Sequence, residues 1–269
     1  TAINAGFKRF LLGLFTMLFN MLRFPFVVKK VQPEIIHITG LSYIRFWERA
    51  YYLLVAKISD KPVFYHYLGA LDLFYQSSNS FSKYLINTFI DMSHHISFLS
   101  LRVKNLMCKN INSNKVSILP SSVDVDSFLI KKYKVQEKLR ILFLGGAHPI
   151  RKGIEDLIKI IPKVVKETKN IHFTCSGNET VGRYINELKD YSDYVSFIGY
   201  FDQKSKSKLF FNNDILILPS YNEGLPYTVI EALAAGLCIV CTDIGGMPEV
   251  VDKKGGAVFN VADVNGMSK

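Results

Sequence analysis

The chain has 269 residues, of which 49% are hydrophobic, 13% aromatic and 21% charged, a composition that excludes a disordered tail and supports buried cores. At roughly 150 residues per domain the length predicts two domains. Charge is uneven: residues 1–140 carry 19 basic and 8 acidic side chains, whereas 141–269 carry 14 and 15. A basic, aromatic half suits nucleic acid, an anionic membrane surface or acidic small molecules. No recognition helix or stacking platform is legible in residues 1–140, so nucleic acid is set aside as a partner. Cys108, Cys175, Cys238 and Cys241 sit among apolar neighbours and read as reduced core residues of a cytoplasmic protein. Cys238 and Cys241 form a CxxC with no second Cys/His pair nearby, and no metal is expected there.

In chain order, Lys8-Arg9 followed by Phe10 to Phe19 has the basic start and apolar centre of a signal peptide without its small-residue cleavage site. Gly13, Thr16 and Asn20 interrupt the 13 residues between Arg9 and Arg23, which predicts a segment too short and too broken to span a bilayer. It reads either as a packed amphipathic helix or as a helix lying on a membrane, with Lys8, Arg9, Arg23, Lys29 and Lys30 toward anionic headgroups. Short apolar runs then predict buried strands near residues 35–38, 63–65, 96–99 and 116–119, and, more sharply, near 141–144, 171–174, 195–198, 215–218 and 238–241. Ile154, Leu157, Ile158, Ile161 and Val165 recur at helical spacing, as for a helix covering one face of a sheet. His94-His95 reads as a solvated surface pair. Strands alternating with helices predict an α/β fold of two Rossmann-like domains with parallel sheets. The charge cluster in residues 128–138 places the boundary between 1–137 and 138–269. Ligands in such sheets bind at the carboxyl ends of the strands.

Two segments carry chemistry. In Phe143-Leu144-Gly145-Gly146-Ala147-His148-Pro149-Ile150-Arg151-Lys152-Gly153 a strand runs into a glycine turn and, after a basic pair, into a helix, an arrangement that suits a phosphate. It matches neither of the common glycine-rich phosphate motifs, and a plain turn with a solvated Arg151-Lys152 pair is the alternative. In the second segment, from Leu218 to Gly236, Pro226 suits the first position of a helix, Glu223 sits in the loop before it, and the backbone at Gly224 and Leu225 faces an incoming anion. Glu231 falls in the second helical turn among Val229, Ile230, Ala232 and Leu233, where a carboxylate needs a partner. Such carboxylates bind hydroxyl protons strongly.

Residues 141–251 resemble the retaining, nucleotide-sugar-dependent glycosyltransferases of family 4, which have the GT-B fold of two facing Rossmann-like domains. The resemblance rests on Glu223 and Glu231 at E-x7-E spacing, the Lys152-Gly153 pair, the Phe197-Ile198-Gly199 strand end and the loop from Thr242 to Glu249. The first half matches more loosely, through Pro33–His37, Lys61–His66 and Leu119–Asp124. The resemblance implies that Lys152, with Gly145, Gly146, Arg151 and the backbone of Gly224 and Leu225, holds the donor diphosphate. It further implies that Glu231 holds the ribose hydroxyls, that Glu223 orients the transferred sugar, and that no metal is required. The donor would be a UDP- or GDP-sugar and the acceptor a glycan or lipid-linked glycan in cell-surface polysaccharide synthesis. The enzyme would be cytoplasmic, peripheral on the inner face of the plasma membrane through its basic half.

Against the family pattern, Gly146 or Ala147 stands where an arginine is usual, with Arg151 as the compensating cation. The central strand ends Leu68-Gly69, leaving His66, one pleat back, as the catalytic candidate on that side. The family's first βα unit and last helix have no counterpart, so the chain is expected to be truncated at both ends. These departures keep open a non-catalytic or decayed sugar-nucleotide binder, and a sugar-nucleotide epimerase on the same scaffold.

Overall fold

The structure, a computed structural model, describes residues 2–69, 71–107, 113–128, 138–251 and 255–269. Two compact units divide the chain, Thr1–Leu119 and Pro120–Lys269. The division falls ahead of the charge cluster, most of which, with Cys108, lies outside the described residues. Phe128 goes with the second unit, its ring 5.9 Å from that of Phe210.

The first unit begins with helix α1 (Ala2–Val31) and continues β1 (Ile36–Gly40), α2 (Ile44–Ile58), β2 (Val63–Tyr67), α3 (Leu71–Ser77), α4 (Ser80–Asp91), β3 (His95–Phe98), α5 (Leu101–Met107) and β4 (Val116–Ile118). All four strands are parallel, in the order β1-β2-β3-β4. Strand alternation sends Ile36, Ile38, Val63, Tyr65, Tyr67, Ile96 and Phe98 into one core with Phe46, Leu53, Ile86 and Ile90 from the helices. The opposite face carries a row of rings, His37, Phe64, His66 and His95, with centroids 5.2–6.3 Å apart between neighbours. Of the His94–His95 pair, His94 is exposed and His95 half-buried, and each also bonds a neighbouring strand. His94 Nδ1 accepts from the Val63 amide at 3.1 Å, and His95 Nε2 bonds Ser117 Oγ at 2.9 Å.

The N-terminal segment corrects the reading of a short, broken one. It is one continuous 30-residue helix through Pro25, and Thr16 stays within it by donating its hydroxyl to the Leu12 carbonyl one turn back. Leu11–Val31 is long and apolar enough to cross a membrane, and only 6% of it is buried. Phe24 and Val28 reach the core of the unit, while Leu12, Phe15, Leu22 and Phe26 are exposed.

The second unit holds β5 (Leu139–Gly146), α6 (Ile154–Glu167), β6 (Ile171–Gly177), α7 (Glu179–Asn186), β7 (Val195–Phe197), α8 (Gln203–Phe211), β8 (Ile215–Leu218), α9 (Tyr227–Ala234), β9 (Cys238–Thr242), α10 (Met247–Val250), β10 (Gly256–Phe259) and α11 (Val264–Met267). Its parallel sheet runs β10-β9-β8-β5-β6-β7. Here both faces are buried. Ile141 and Phe143 of β5 join Leu157, Ile161, Phe173 and Cys175 on one side, and Leu142 and Leu144 join Leu216, Leu218, Val229 and Ile239 on the other. Burial on both faces explains why these strands are continuous apolar runs. From β5 the chain winds outward to β6 and β7, then returns to β8 on the other flank. The strand order reverses between β5 and β8, which is where doubly wound sheets open a crevice for ligands.

The cysteines divide by exposure: Cys175 and Cys241 are buried and Cys238 is exposed, all three unpaired. Burial pushes the Cys175 thiol well up, and burial with the Asp243 carboxylate pushes that of Cys241 up to about 12. Because the thiolate is the reactive form, iodoacetamide at pH 8 is expected to label Cys238 and spare Cys175 and Cys241 until urea is added. Peptide mapping by mass spectrometry reads the outcome, and rapid labelling of Cys175 in the folded chain would contradict the packing.

Candidate functional site

Three loops at the carboxyl ends of β5, β8 and β9 build the site. The β5 loop leaves Gly146 and winds back on itself, with Lys152 N donating to His148 O at 3.1 Å and Gly153 N to Ile150 O at 3.0 Å. Gly153 is left-handed, at φ 85°, and a Cβ there would collide with the Pro219 carbonyl. The turn therefore lies backbone against backbone on the β8 loop, which only glycine permits. Gly245 does the same from the β9 loop. It is also left-handed, a Cβ on it would strike the Gly224 carbonyl, and the next residue, Gly246, donates its amide to Gly224 O at 2.7 Å.

Further bonds lock the β8 loop. Thr242 Oγ1 donates to Ser220 O at 2.6 Å, Tyr221 N to Arg151 O at 2.9 Å, and Ser121 Oγ to Leu225 O at 3.1 Å. The Tyr221 hydroxyl donates to Asp156 Oδ2 at 2.5 Å, and that bond to a carboxylate is the main reason its pKa is pushed up to about 12. Asp156 is buried, and its other oxygen meets Lys159 at 3.6 Å.

This scaffold brings Lys152 and Glu223 together. Lys152 Nζ lies 3.6 Å from Glu223 Oε1, with side-chain exposures of 15% and 10%, and Ser220 Oγ donates to the same oxygen at 3.4 Å. Glu231 sits in the second turn of α9, 6% exposed, which answers the expectation that so apolar a helix would bury it. Its partner is Lys206 of α8, bonded to Oε1. Oε2 is buried with no hydrogen-bond partner. Pro226 takes the N-cap position rather than the first helical one, and no side chain caps α9.

Gly145 and Gly146 close β5, where Gly146 O accepts from Asn178 N at 3.2 Å. Gly199, from the Phe197-Ile198-Gly199 strand end, accepts from Gly177 N and from Ser176 Oγ at the neighbouring strand end. The Arg151 side chain is exposed; what Arg151 gives the site is its carbonyl. His66 belongs to the first unit. Its Nε2 lies 3.3 Å from Leu119 O, and burial, with the neighbouring His37 as a smaller cause, lowers its pKa against the opposing effect of that bond. Among the described residues, no group of three or more His, Cys, Asp or Glu is placed to hold a metal.

Lys206, Ser220, Tyr221 and Asp156 are site residues that sequence reasoning misses. For Lys206 a signal exists: it stands one turn before Phe210, which is fully buried, and i, i+4 positions share a helix face.

Residues 138–269 match the family model of the glycosyl transferases group 1. Over these residues, just under half of the chain, the sequence is similar to the glycosyl transferases group 1 family. Among curated relatives, a human protein named as a phosphatidylinositol N-acetylglucosaminyltransferase subunit is 25% identical over 174 residues, 63% of this chain and 36% of that protein. The phosphatidyl-myo-inositol mannosyltransferase of Mycolicibacterium smegmatis is 28% identical over 164 residues, 59% of this chain and 42% of its own. The chain thus spans well under half the length of either relative. A crystal structure of S. aureus TarM in complex with fondaparinux, alpha-GlcNAc-glycerol and UDP shares the fold, with a TM-score of 0.73 at 16% identity over 93% of this chain and 50% of that one. The glycosyltransferase fold expected from sequence, α/β with two parallel sheets, is the one observed.

The glycine contacts define a test of this scaffold. Gly153→Ala is expected to cost more than ~1 kcal/mol, because it adds a collision to left-handed strain. Gly236→Ala, also at positive φ but with open space around it, should cost only the strain. Urea denaturation of the two variants measures the difference, and equal costs would remove the Gly153–Pro219 contact from the account.

Proposed function

We propose that the second unit is the donor-binding half of a retaining glycosyltransferase that moves a sugar from a UDP- or GDP-sugar to a lipid-linked or glycan acceptor. The observation that carries this reading is Glu231: a buried carboxylate with one oxygen on Lys206 and the other, Oε2, without a partner. An unsatisfied buried acceptor costs about 1–3 kcal/mol, and a ribose hydroxyl is a donor of the right kind. Around it, Lys152 supplies the positive charge for a diphosphate, with the backbone at Gly224 and Leu225 alongside. Glu223, beside Lys152, orients the transferred sugar. In this reading Lys152 and the uncapped start of α9 take the place of a metal in stabilising the leaving nucleoside diphosphate.

In the first unit we assign His66, near the carboxyl end of β2, as the catalytic candidate. A ring nitrogen bonded to a carbonyl must be the protonated one, so Nε2 donates to Leu119 and Nδ1 is left as the acceptor. The two curated relatives are named for phosphatidylinositol substrates, which supports a lipid-linked acceptor. The exposed apolar face of α1, with Arg23, Lys29 and Lys30 toward its end, supports work at the cytoplasmic face of an anionic membrane. We further propose a role in cell-surface polysaccharide synthesis.

Calorimetric titration with UDP, GDP and ADP tests the donor site. One nucleotide is expected to bind, and Glu231→Ala and Lys152→Ala are each expected to weaken it by at least ~1 kcal/mol, the scale of a charged hydrogen bond. No binding by a folded chain would overturn the donor reading. Binding without sugar transfer to any lipid-linked acceptor would favour the non-catalytic binder.

A further inference from the structure

Lys206 lies on a helix rich in polar residues, yet only 16% of its side chain is exposed, because Phe210 one turn on is packed into the core and draws that face inward. Its ammonium meets Glu231 Oε1 across 25 residues of sequence. Two buried polar atoms of α9 have no partner: Glu231 Oε2 and, three residues earlier, Thr228 Oγ1. Positions i and i+3 are neighbours on a helix, so α9 carries an unsatisfied carboxylate oxygen and an unsatisfied hydroxyl on neighbouring positions.

A carboxylate side chain free to rotate presents either oxygen. One whose Oε1 is committed to a buried ammonium presents only Oε2, and in one direction. We propose that Lys206 is a positioning residue for the nucleotide: by fixing Glu231 it turns Oε2 into a selective acceptor for a ribose hydroxyl, and so makes the site discriminate ribonucleotides from their deoxy counterparts. This deepens the donor-site reading and rests on it. Lys206 is the residue through which Glu231 acts and need not touch the nucleotide itself. Removing it leaves a buried carboxylate without its ion-pair partner, which reorients or rehydrates.

The test uses the full chain, with UDP and GDP and the 2′-deoxy and 3′-deoxy analogues of whichever binds. In the wild type the ribonucleotide is expected to bind about tenfold more tightly than one of the two analogues, the effect of one hydrogen bond to a charged acceptor. Lys206→Met is expected to bring that ratio to within about twofold of unity, and Lys206→Arg, which keeps the charge, to retain most of it. A merely structural role would lower all affinities together and leave the ratio in place, so an unchanged ratio in Lys206→Met overturns the proposal. A wild-type ratio of unity for both analogues does so as well. Should Lys206→Met fail to melt cooperatively, Lys206→Gln, which keeps length and a donor without the charge, carries the same expectation of a reduced ratio. Failure of the donor reading itself gives a different result: the folded wild type binds no nucleotide, and this proposal falls with it.

Discussion

Everything in the candidate site depends on loops that touch backbone to backbone. The turn before α6 rests on the Pro219 carbonyl through Gly153, and the loop after β9 rests on Gly224 through Gly245. No side chain separates the loops at these two contacts, so Lys152 and Glu223 are held by covalent geometry and hydrogen bonds rather than by the fit of flexible side chains. Asp156 adds a clamp from α6 to the Tyr221 hydroxyl. A reacting group misplaced by an ångström loses much of its effect, and contact of this kind suits a site that must hold charged groups in fixed positions.

The same contacts explain why the second unit is more legible in sequence than the first. Strands buried on both faces are written as unbroken apolar runs, and the glycines that permit close backbone approach fall in the loops just beyond them. β10 escapes notice because it is a four-residue edge strand opening on glycine, with no fully buried position. The units divide at Leu119, ahead of the charge cluster. In the first unit the N-terminal helix misleads. Gly13, Thr16 and Asn20 look like helix breakers, but each costs only up to about 1 kcal/mol in a helix, which the surrounding Leu, Met and Phe residues outweigh.

In the site, legibility follows what a residue has for neighbours in the sequence. Glu231 stands out because the helix around it is apolar, and Glu223 and Lys152 because glycine and proline frame them. Lys206 has serines and lysines on both sides, and the reason for its burial lies one turn away in Phe210 and across the fold in Glu231. His94 and His95 repeat the lesson. Their partners, the Val63 amide and the Ser117 hydroxyl, come from neighbouring strands, and no local pattern announces a contact made by sheet register.

The pairs Lys152–Glu223 and Lys206–Glu231, each a buried glutamate with a half-buried lysine, are not equivalent. Each carboxylate needs a counter-charge once removed from water, and each has a lysine. Lys152, though, stands 3.6 Å from Glu223 and shares that oxygen with Ser220, whereas Lys206 is in direct hydrogen-bond contact with Glu231. A lysine at the longer distance, next to the glycine turn and on a flexible stem, is a charge that an anion can claim at small loss, because Ser220 remains on the glutamate. A lysine in direct contact is committed, and what it leaves available is the far oxygen of its partner. One pair therefore offers a cation and the other an acceptor. In the proposed donor reading, a ligand with negative charge at one end and hydroxyls at the other would satisfy both without breaking either glutamate's last contact.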